Sequence, residues 1–339
     1  MEEYLKSLKT QNEFHCMEEL LKRQNLSVPE NTDTSFGIFK GDNMIACGSR
    51  RGDILQGIAV SDDRRNENLS AKIVTALIRD SADYGLSTLY LFTKPENQLI
   101  FNELGFHTIT EANPYAAFME YGISESKKFS EKLREISANK PSDATAIVMN
   151  ANPFTYGHRY LVEQASNNCS WVYLLAVEED ASFFPFSARY ELMLKGTQDL
   201  RNVSVIPSGR YVVSKLTFPS YFTPDSLLTR VQAAIDAEVF ADLIAPSLKV
   251  STRYLGTEPY SQTTAIYNEE VTSRLSRKGI TVKVLERKKT DDGNYISASA
   301  VRANIESGNL HRIKEMVPES TYQYILLNNK NIKKERTCK

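Results

Sequence analysis

No stretch of this sequence holds the roughly 20 consecutive apolar residues that a membrane-spanning helix requires. The longest apolar runs are short, as at residues 171–177. Residues 1–10 mix acidic and basic side chains without an apolar core, so no export signal is expected. The four cysteines, Cys16, Cys47, Cys169 and Cys338, are scattered and no two have zinc-site spacing, which reads as a reduced, cytoplasmic protein. The four histidines, His15, His107, His158 and His311, are too dispersed in sequence to suggest a local metal motif, although folding could still gather them; no metal-ligating residue is singled out. The formal net charge of −1 excludes broad electrostatic affinity for nucleic acid or anionic membrane, so neither is expected as a partner. A small basic tail, Lys333, Lys334, Arg336 and Lys339, reads as a solvated terminus. Also missing are G-x-x-x-x-G-K, G-x-G-x-x-G and G-x-S-x-G, the signatures of P-loop, dinucleotide-binding and serine-hydrolase sites. There is no internal repeat.

What is present is a soluble-type composition, 41% apolar and 24% charged, on a 339-residue chain that fits two domains. Residues 124–137 are polar and charged, and Asn139-Lys140-Pro141-Ser142 follows with linker composition. The expected division is a domain over 1–125, a linker over 126–143 and a second domain over 144–339. Upstream, strand-like runs lie at 44–48 and 54–60. A helix pattern over 69–84 places Leu69, Ile73, Ala76 and Leu77 on one face, with Gly85 as its stop. A strand at 88–92 and a short helix at 97–104 closed by Gly105 complete a mixed α+β domain. Downstream, β-forming runs at 146–149, 171–177, 203–206, 253–255 and 282–285 have helical patterns between several of them. That alternation predicts an α/β domain with a parallel sheet, whose ligands bind outside the carboxyl ends of the strands.

The chemistry-bearing motifs fall at those ends. Asn150-Ala151-Asn152-Pro153-Phe154-Thr155-Tyr156-Gly157-His158 follows a strand and opens a helix. Gly157 permits close backbone approach, the helix start offers free N–H groups, and His158 can donate to a phosphoryl oxygen. Ile296-Ser297-Ala298-Ser299-Ala300-Val301-Arg302 opens another helix, where the serines either only cap it or share an anion with Arg302. In Phe184-Pro185-Phe186-Ser187-Ala188-Arg189-Tyr190-Glu191-Leu192, Arg189 either faces phosphate or pairs with a neighbouring acid. Gly256-Thr257-Glu258-Pro259-Tyr260 is either a nucleotide-contacting strand-end loop or an ordinary turn. Lys288 and Lys289, before Asp291-Asp292-Gly293, belong to a charged loop.

Thr155-Tyr156-Gly157-His158 together with Ile296–Arg302 resembles the nucleotidylyltransferase superfamily. The longer string 149–165, Thr217-Phe218-Pro219-Ser220-Tyr221-Phe222 and segment 256–260 are similar to the citrate lyase ligase family, over about residues 13–327. The resemblance implies a C-terminal Rossmann-like α/β nucleotidylyltransferase domain. It implies ATP-dependent acetylation of the thiol of a dephospho-CoA-type arm on the acyl carrier subunit of citrate lyase, through acetyl-adenylate. Acetate and ATP are then substrates, Mg2+ is carried largely by the nucleotide, and AMP and pyrophosphate are released. By the same resemblance, His158, Thr155 and Arg302 are catalytic. ATP is implied to lie against Asn152, Phe154, Thr155, Gly157, His158, Arg189, Gly256, Thr257, Glu258, Ile296, Ser297, Ser299 and Arg302.

Many superfamily members carry histidine where this chain has Thr155. The upstream half resembles the GNAT acetyltransferase fold. That family's phosphate loop runs Arg or Gln, two residues, Gly, one residue, then Gly or Ala. Here Arg65-Asn66-Glu67-Asn68-Leu69-Ser70 replaces both small positions, which disfavours ordinary acetyl-CoA chemistry. The resemblance leaves this domain to dock the carrier or its arm. The alternative enzyme is an adenylyltransferase acting on a phosphate monoester. A nucleotide-binding regulatory protein is the non-enzymatic alternative.

Overall fold

In the computed structural model, residues 2–337 are described except 66, 179–181, 213–222, 224, 258–261, 290–292 and 294; the side chains of 225 and 329–337 are also outside the description. The Thr217–Phe222 string, Glu258, Pro259, Tyr260, Asp291 and Asp292, all singled out from sequence, therefore lie outside the described residues. The chain divides into two compact units, Met1–Phe129 with Thr217–Val239, and Ser130–Leu216 with Phe240–Lys339.

The first unit opens with β1 (Glu3–Ser7) and α1 (Gln11–Arg23), started by a reciprocal cap between Thr10 and Glu13. β2 (Thr34–Lys40), β3 (Asn43–Arg51) and β4 (Ile54–Val60) follow, then α2 (Leu69–Asp83), β5 (Thr88–Thr93), α3 (Gln98–Glu103), β6 (Phe106–Ala112) and β7 (Ala116–Gly122). The strands form one seven-stranded sheet in the order β1-β2-β3-β4-β5-β7-β6. Every pairing is antiparallel except β4 with β5. The expected face of α2 is the buried one, with Leu69, Ile73, Val74 and Leu77 in the core. Gly48 on β3 makes that packing possible, because a Cβ there would stand 2.5 Å from Ile73. Gly85 and Gly105 take positive φ where they were expected to stop their helices.

The next helix, α4 (Glu125–Ser137), occupies most of the stretch expected to be a linker, and the boundary between the units falls within it. Its polarity marks an amphipathic helix rather than a loop: Ser126, Ser130, Leu133 and Ser137 are buried while charged residues face out.

The second unit contains β8 (Ala144–Met149), α5 (Tyr156–Asn168), β9 (Val172–Ala176), α6 (Phe186–Thr197) and β10 (Val203–Pro207). After α7 (Asp225–Val239) come α8 (Ala245–Leu248), β11 (Val250–Gly256), α9 (Gln262–Arg277), β12 (Thr281–Leu285), α10 (Ala298–Glu306) and α11 (Glu319–Thr337). Helix α7 belongs to the first unit, where it packs on β6 and β7, so residues 217–239 depart from the expected 144–339 domain. All five downstream strand runs are realised as β8 to β12. They form one parallel sheet in the order β10-β9-β8-β11-β12. Ile147, Leu174, Val162, Leu192 and Met193 fill its core. The chain runs outward from β8 to β10, then returns to the far side of β8 with β11. The order reverses between β8 and β11, and an open parallel sheet leaves its ligand crevice above such a reversal.

Candidate active site

The loop leaving β8 rises into this crevice. Ala151 is buried there with φ +44°, and the chain turns from strand to helix within a few residues. Thr155 then caps α5. Its Oγ1 accepts from the His158 N–H at 3.3 Å, while its own N–H donates to His158 Nδ1 at 3.1 Å. Thr155 Oγ1 also lies 2.9 Å from Nδ1. Because Nδ1 accepts from a backbone N–H, it carries no proton, so the neutral ring bears its proton on Nε2. The hydroxyl accordingly donates to Nδ1. Phe154 stacks on the imidazole, with ring centroids 5.9 Å apart and planes 19° apart.

Electrostatics enforce the same state. Burial first, and then the cations Arg287 and Arg302, together push the His158 pKa down from 6.5 to about 4. His158 at neutral pH is an uncharged donor facing two guanidinium groups.

Arg302 ties the two motifs together. Its Nη1 donates to Asn152 O at 2.6 Å and its Nη2 to Ser299 Oγ at 3.0 Å. Ser297 caps α10 by accepting from Ala300 N at 3.1 Å. Gly157 faces the chain entering this helix: a Cβ there would stand 3.0 Å from the Ile296 carbonyl oxygen. The two helix starts are thus brought together.

Sequence reasoning missed Arg287. It follows β12 as Thr257 follows β11, and the two are joined: Arg287 N donates to Thr257 Oγ1 at 3.2 Å, and Nε to Thr257 O at 2.8 Å. The strand-end position was the available signal. Ile296 N donates to Lys288 O at 3.1 Å, which brings the segment carrying Arg287 beside Ser297. Lys288 Nζ stands 5.7 Å from the Tyr156 ring centroid. Gly256 O accepts from Asn268 Nδ2 at 3.1 Å, holding that strand end to α9.

Five side chains expected at the nucleotide take other places. Arg189 is fully buried and donates to Asn150 O, Val177 O and Phe184 O at 2.8–3.0 Å, joining the ends of β8 and β9 to the approach to α6. Its long side chain reaches three main-chain carbonyls before it could reach solvent. Phe154 is fully buried, packed over Gly196, so its ring supports His158 from below. The Ile296 side chain is buried too, and its carbonyl is the part that meets α5. The Asn152 side chain is turned inward: its Oδ1 accepts from Phe184 N at 3.0 Å. Thr155, only 1% exposed, spends its hydroxyl on His158 rather than presenting it to a ligand. What faces the crevice is a set of N–H donors and cations suited to several negative charges. Among the described residues no cluster of three or more His, Cys, Asp or Glu could hold a metal ion.

Comparison with known proteins adds a second line. Residues 144–325 match the family described as citrate lyase ligase C-terminal domain. A citrate (pro-3S)-lyase ligase from Escherichia coli strain K12 is 34% identical over 312 residues, covering 91% of this chain and 88% of that protein. One from Klebsiella pneumoniae is 32% identical over 323 residues, 94% of each. Among solved structures, Escherichia coli ElaA matches 35% of this chain and 99% of its own, with 14% identity and a TM-score of 0.32. FeeM, an N-acyl amino acid synthase from uncultured soil microbes, matches 37% and 92%, with 14% identity and a TM-score of 0.32.

Proposed function

The chain belongs to the citrate lyase ligase family of ATP-dependent acid–thiol ligases, and we propose that it acetylates the thiol of a dephospho-CoA-type arm on citrate lyase's acyl carrier subunit. In the first step an acetate oxygen attacks the α-phosphorus of ATP. The bond to the β-phosphate oxygen breaks, leaving acetyl-adenylate and pyrophosphate. In the second the thiol sulfur attacks the acetyl carbon, the bond to AMP breaks, and the thiol proton passes to solvent.

The observation that carries this reading is His158, held neutral with Nδ1 occupied and Nε2–H available as a donor. Neither step needs a protein nucleophile. The first needs the phosphates held in line, and both need charge met by donors already in place. His158 donates to the α-phosphoryl oxygens as charge builds there. Arg287, Lys288, Arg302 and the N-termini of α5 and α10 hold the departing pyrophosphate. Thr155 orients His158, and Ser299 orients Arg302.

Magnesium, if it accompanies ATP, fits this donor set only as an ion held by the nucleotide phosphates, because the cluster facing the crevice is basic. When bound it would add charge neutralisation on the phosphates. The proposed location is the cytoplasm, in keeping with free Cys16, Cys47 and Cys169.

The test is acetate-dependent exchange of labelled pyrophosphate into ATP by the isolated full-length protein with magnesium. Exchange that requires acetate is the expected result. Absence of exchange with acetate, but turnover of ATP with phosphopantetheine, would move the assignment to a phosphate-monoester adenylyltransferase.

A further inference from the structure

Asn150 is the first residue beyond β8, and the chemistry described so far does not use its side chain. Its main chain is fixed on both sides. Val177 N donates to Met149 O at 3.1 Å, and Arg189 Nη1 donates to Asn150 O at 2.8 Å. The side chain is half-buried, and its one partner among the described residues is Ser182, in the segment between β9 and α6. Asn150 Nδ2 donates to Ser182 Oγ at 3.1 Å, and Ser182 Oγ donates back to Asn150 Oδ1 at 3.4 Å. An amide nitrogen carries two protons. Ser182 takes one, so the second N–H is uncommitted among the described residues, at the carboxyl end of the central strand.

Its place in the sheet order gives that N–H a meaning. Arg287 follows β12 and is joined to Thr257 after β11, so the cations lie on the β11–β12 side of β8. The Asn150–Ser182 pair reaches the other way, from β8 to the segment after β9. An in-line displacement puts the attacking oxygen across the α-phosphorus from the leaving one. With pyrophosphate leaving towards the cations, the attacking group stands on the β9 side.

The charge on that side selects the attacking group. A phosphate monoester carries up to two negative charges and is met by cations. Arg189 is spent on three main-chain carbonyls. Glu178, next after Val177, adds a carboxylate there, its Oε1 accepting from Gly209 N at 3.0 Å. A monocarboxylate suits these surroundings better. It brings a single charge on two oxygens, so one oxygen is free to attack phosphorus while the other rests on a neutral donor.

We propose that Asn150 determines acceptor specificity: its uncommitted Nδ2–H donates to the non-attacking oxygen of a small monocarboxylate, and Ser182 positions the amide. Acetate as that monocarboxylate rests on the function proposed above.

The test is pyrophosphate exchange by full-length wild type, Asn150→Ala, Asn150→Asp and Ser182→Ala, with acetate varied at saturating ATP. Equilibrium binding of a non-hydrolysable ATP analogue is measured beside it. Asn150→Ala is expected to raise KM for acetate about tenfold or more, the usual effect of losing a hydrogen bond to a charged group, and to leave the analogue's affinity within about twofold. Asn150→Asp, of the same size, replaces the donor by a like charge and is expected to raise it further. Ser182→Ala is expected to raise it less than either. Wild-type KM for acetate in both Asn150 variants overturns the proposal. So does an equal loss of acetate and analogue binding, which would mark Asn150 as structural. A wild type whose exchange ignores acetate would sink the ligase reading and this one with it, whereas acetate-dependent exchange that both Asn150 variants keep unchanged would sink this one alone.

Discussion

Thr155 gives His158 Nδ1 two donors, its backbone N–H at 3.1 Å and its hydroxyl at 2.9 Å. One residue thereby sets the tautomer, the ring orientation and, through the cap it forms, the helix that carries the ring. The ligand-free protein should therefore show a neutral His158 protonated on Nε2. Imidazole NMR is expected to follow it neutral down to about pH 4, against an ordinary value of 6.5. The sign for stability follows. The folded pKa lies below the unfolded one, so the unfolded chain takes up the proton first as pH falls. This group's contribution is present above pH 6.5 and is lost as pH drops towards 4. A His158→Gln protein should lose less stability across that window, as read by denaturant titration at each pH. A titration near 6.5 in the folded wild type would contradict the geometry.

Substitution at Thr155 separates its two contributions. Thr155→Ser keeps the cap and the hydroxyl donor, and exchange activity near wild type is expected. Thr155→Val removes both and should cost about 1 kcal/mol of stability from the cap alone. The backbone N–H to Nδ1 remains, so the Nε2–H tautomer should persist. The ring should be less firmly held, lowering kcat more than it raises KM for ATP. Equal losses in Ser and Val would show that the hydroxyl is not what matters.

Much of this was legible in the sequence. The five downstream β-forming runs became the five parallel strands, since continuous apolar stretches with helical crossovers have few other solutions. The segments carrying Thr155, Gly157 and His158 and Ser297, Ser299 and Arg302 lie together because each opens a helix at the same end of one sheet. Less legible was direction. Phe154 sits in the expected loop and Arg189 in the first turn of α6, yet their side chains point into the protein, and a linear motif says nothing of which way a side chain turns. Arg287 escaped because its neighbours Lys288 and Lys289 made the segment look like ordinary solvated charge. Helix α7 escaped as a member of the first unit because nothing in its local pattern records which sheet it packs on.

Arg287 lends itself to a readout other than activity. It and Arg302 both depress the His158 pKa by their positive charge. Arg287→Ala should raise that pKa from about 4 towards the ordinary value, and an ATP analogue should bind more weakly. An unchanged His158 titration in the variant would remove Arg287 from the site.

His158→Ala should raise the adenylylation barrier by roughly 2–4 kcal/mol, as when one preorganised donor is taken from a charge-stabilising site. ATP binding should suffer far less, since the cations remain. The measurement is single-turnover exchange alongside equilibrium binding of an ATP analogue. Near wild-type turnover in a folded variant would sink the role given to His158.

The support beneath His158 is tested at Gly196, on the buried side of α6. A Cβ at this position would stand 2.5 Å from Phe154 Cε1 and 2.6 Å from Cδ1, closer than real carbon atoms approach. Phe154 is fully buried in the sheet's core, so moving its ring must displace packed neighbours. Gly196→Ala should therefore destabilise the unit by about 1–3 kcal/mol, the usual effect of overpacking. Because Phe154 stacks on His158, the shift should also reach the imidazole, so kcat for exchange should fall further than the change in folded fraction accounts for. A combined Phe154→Leu, Gly196→Ala protein should recover part of the stability, since the smaller side chain makes room for the new methyl, but not the activity, since the ring that steadies His158 is gone. Recovery of both would mean that the stack contributes nothing to catalysis.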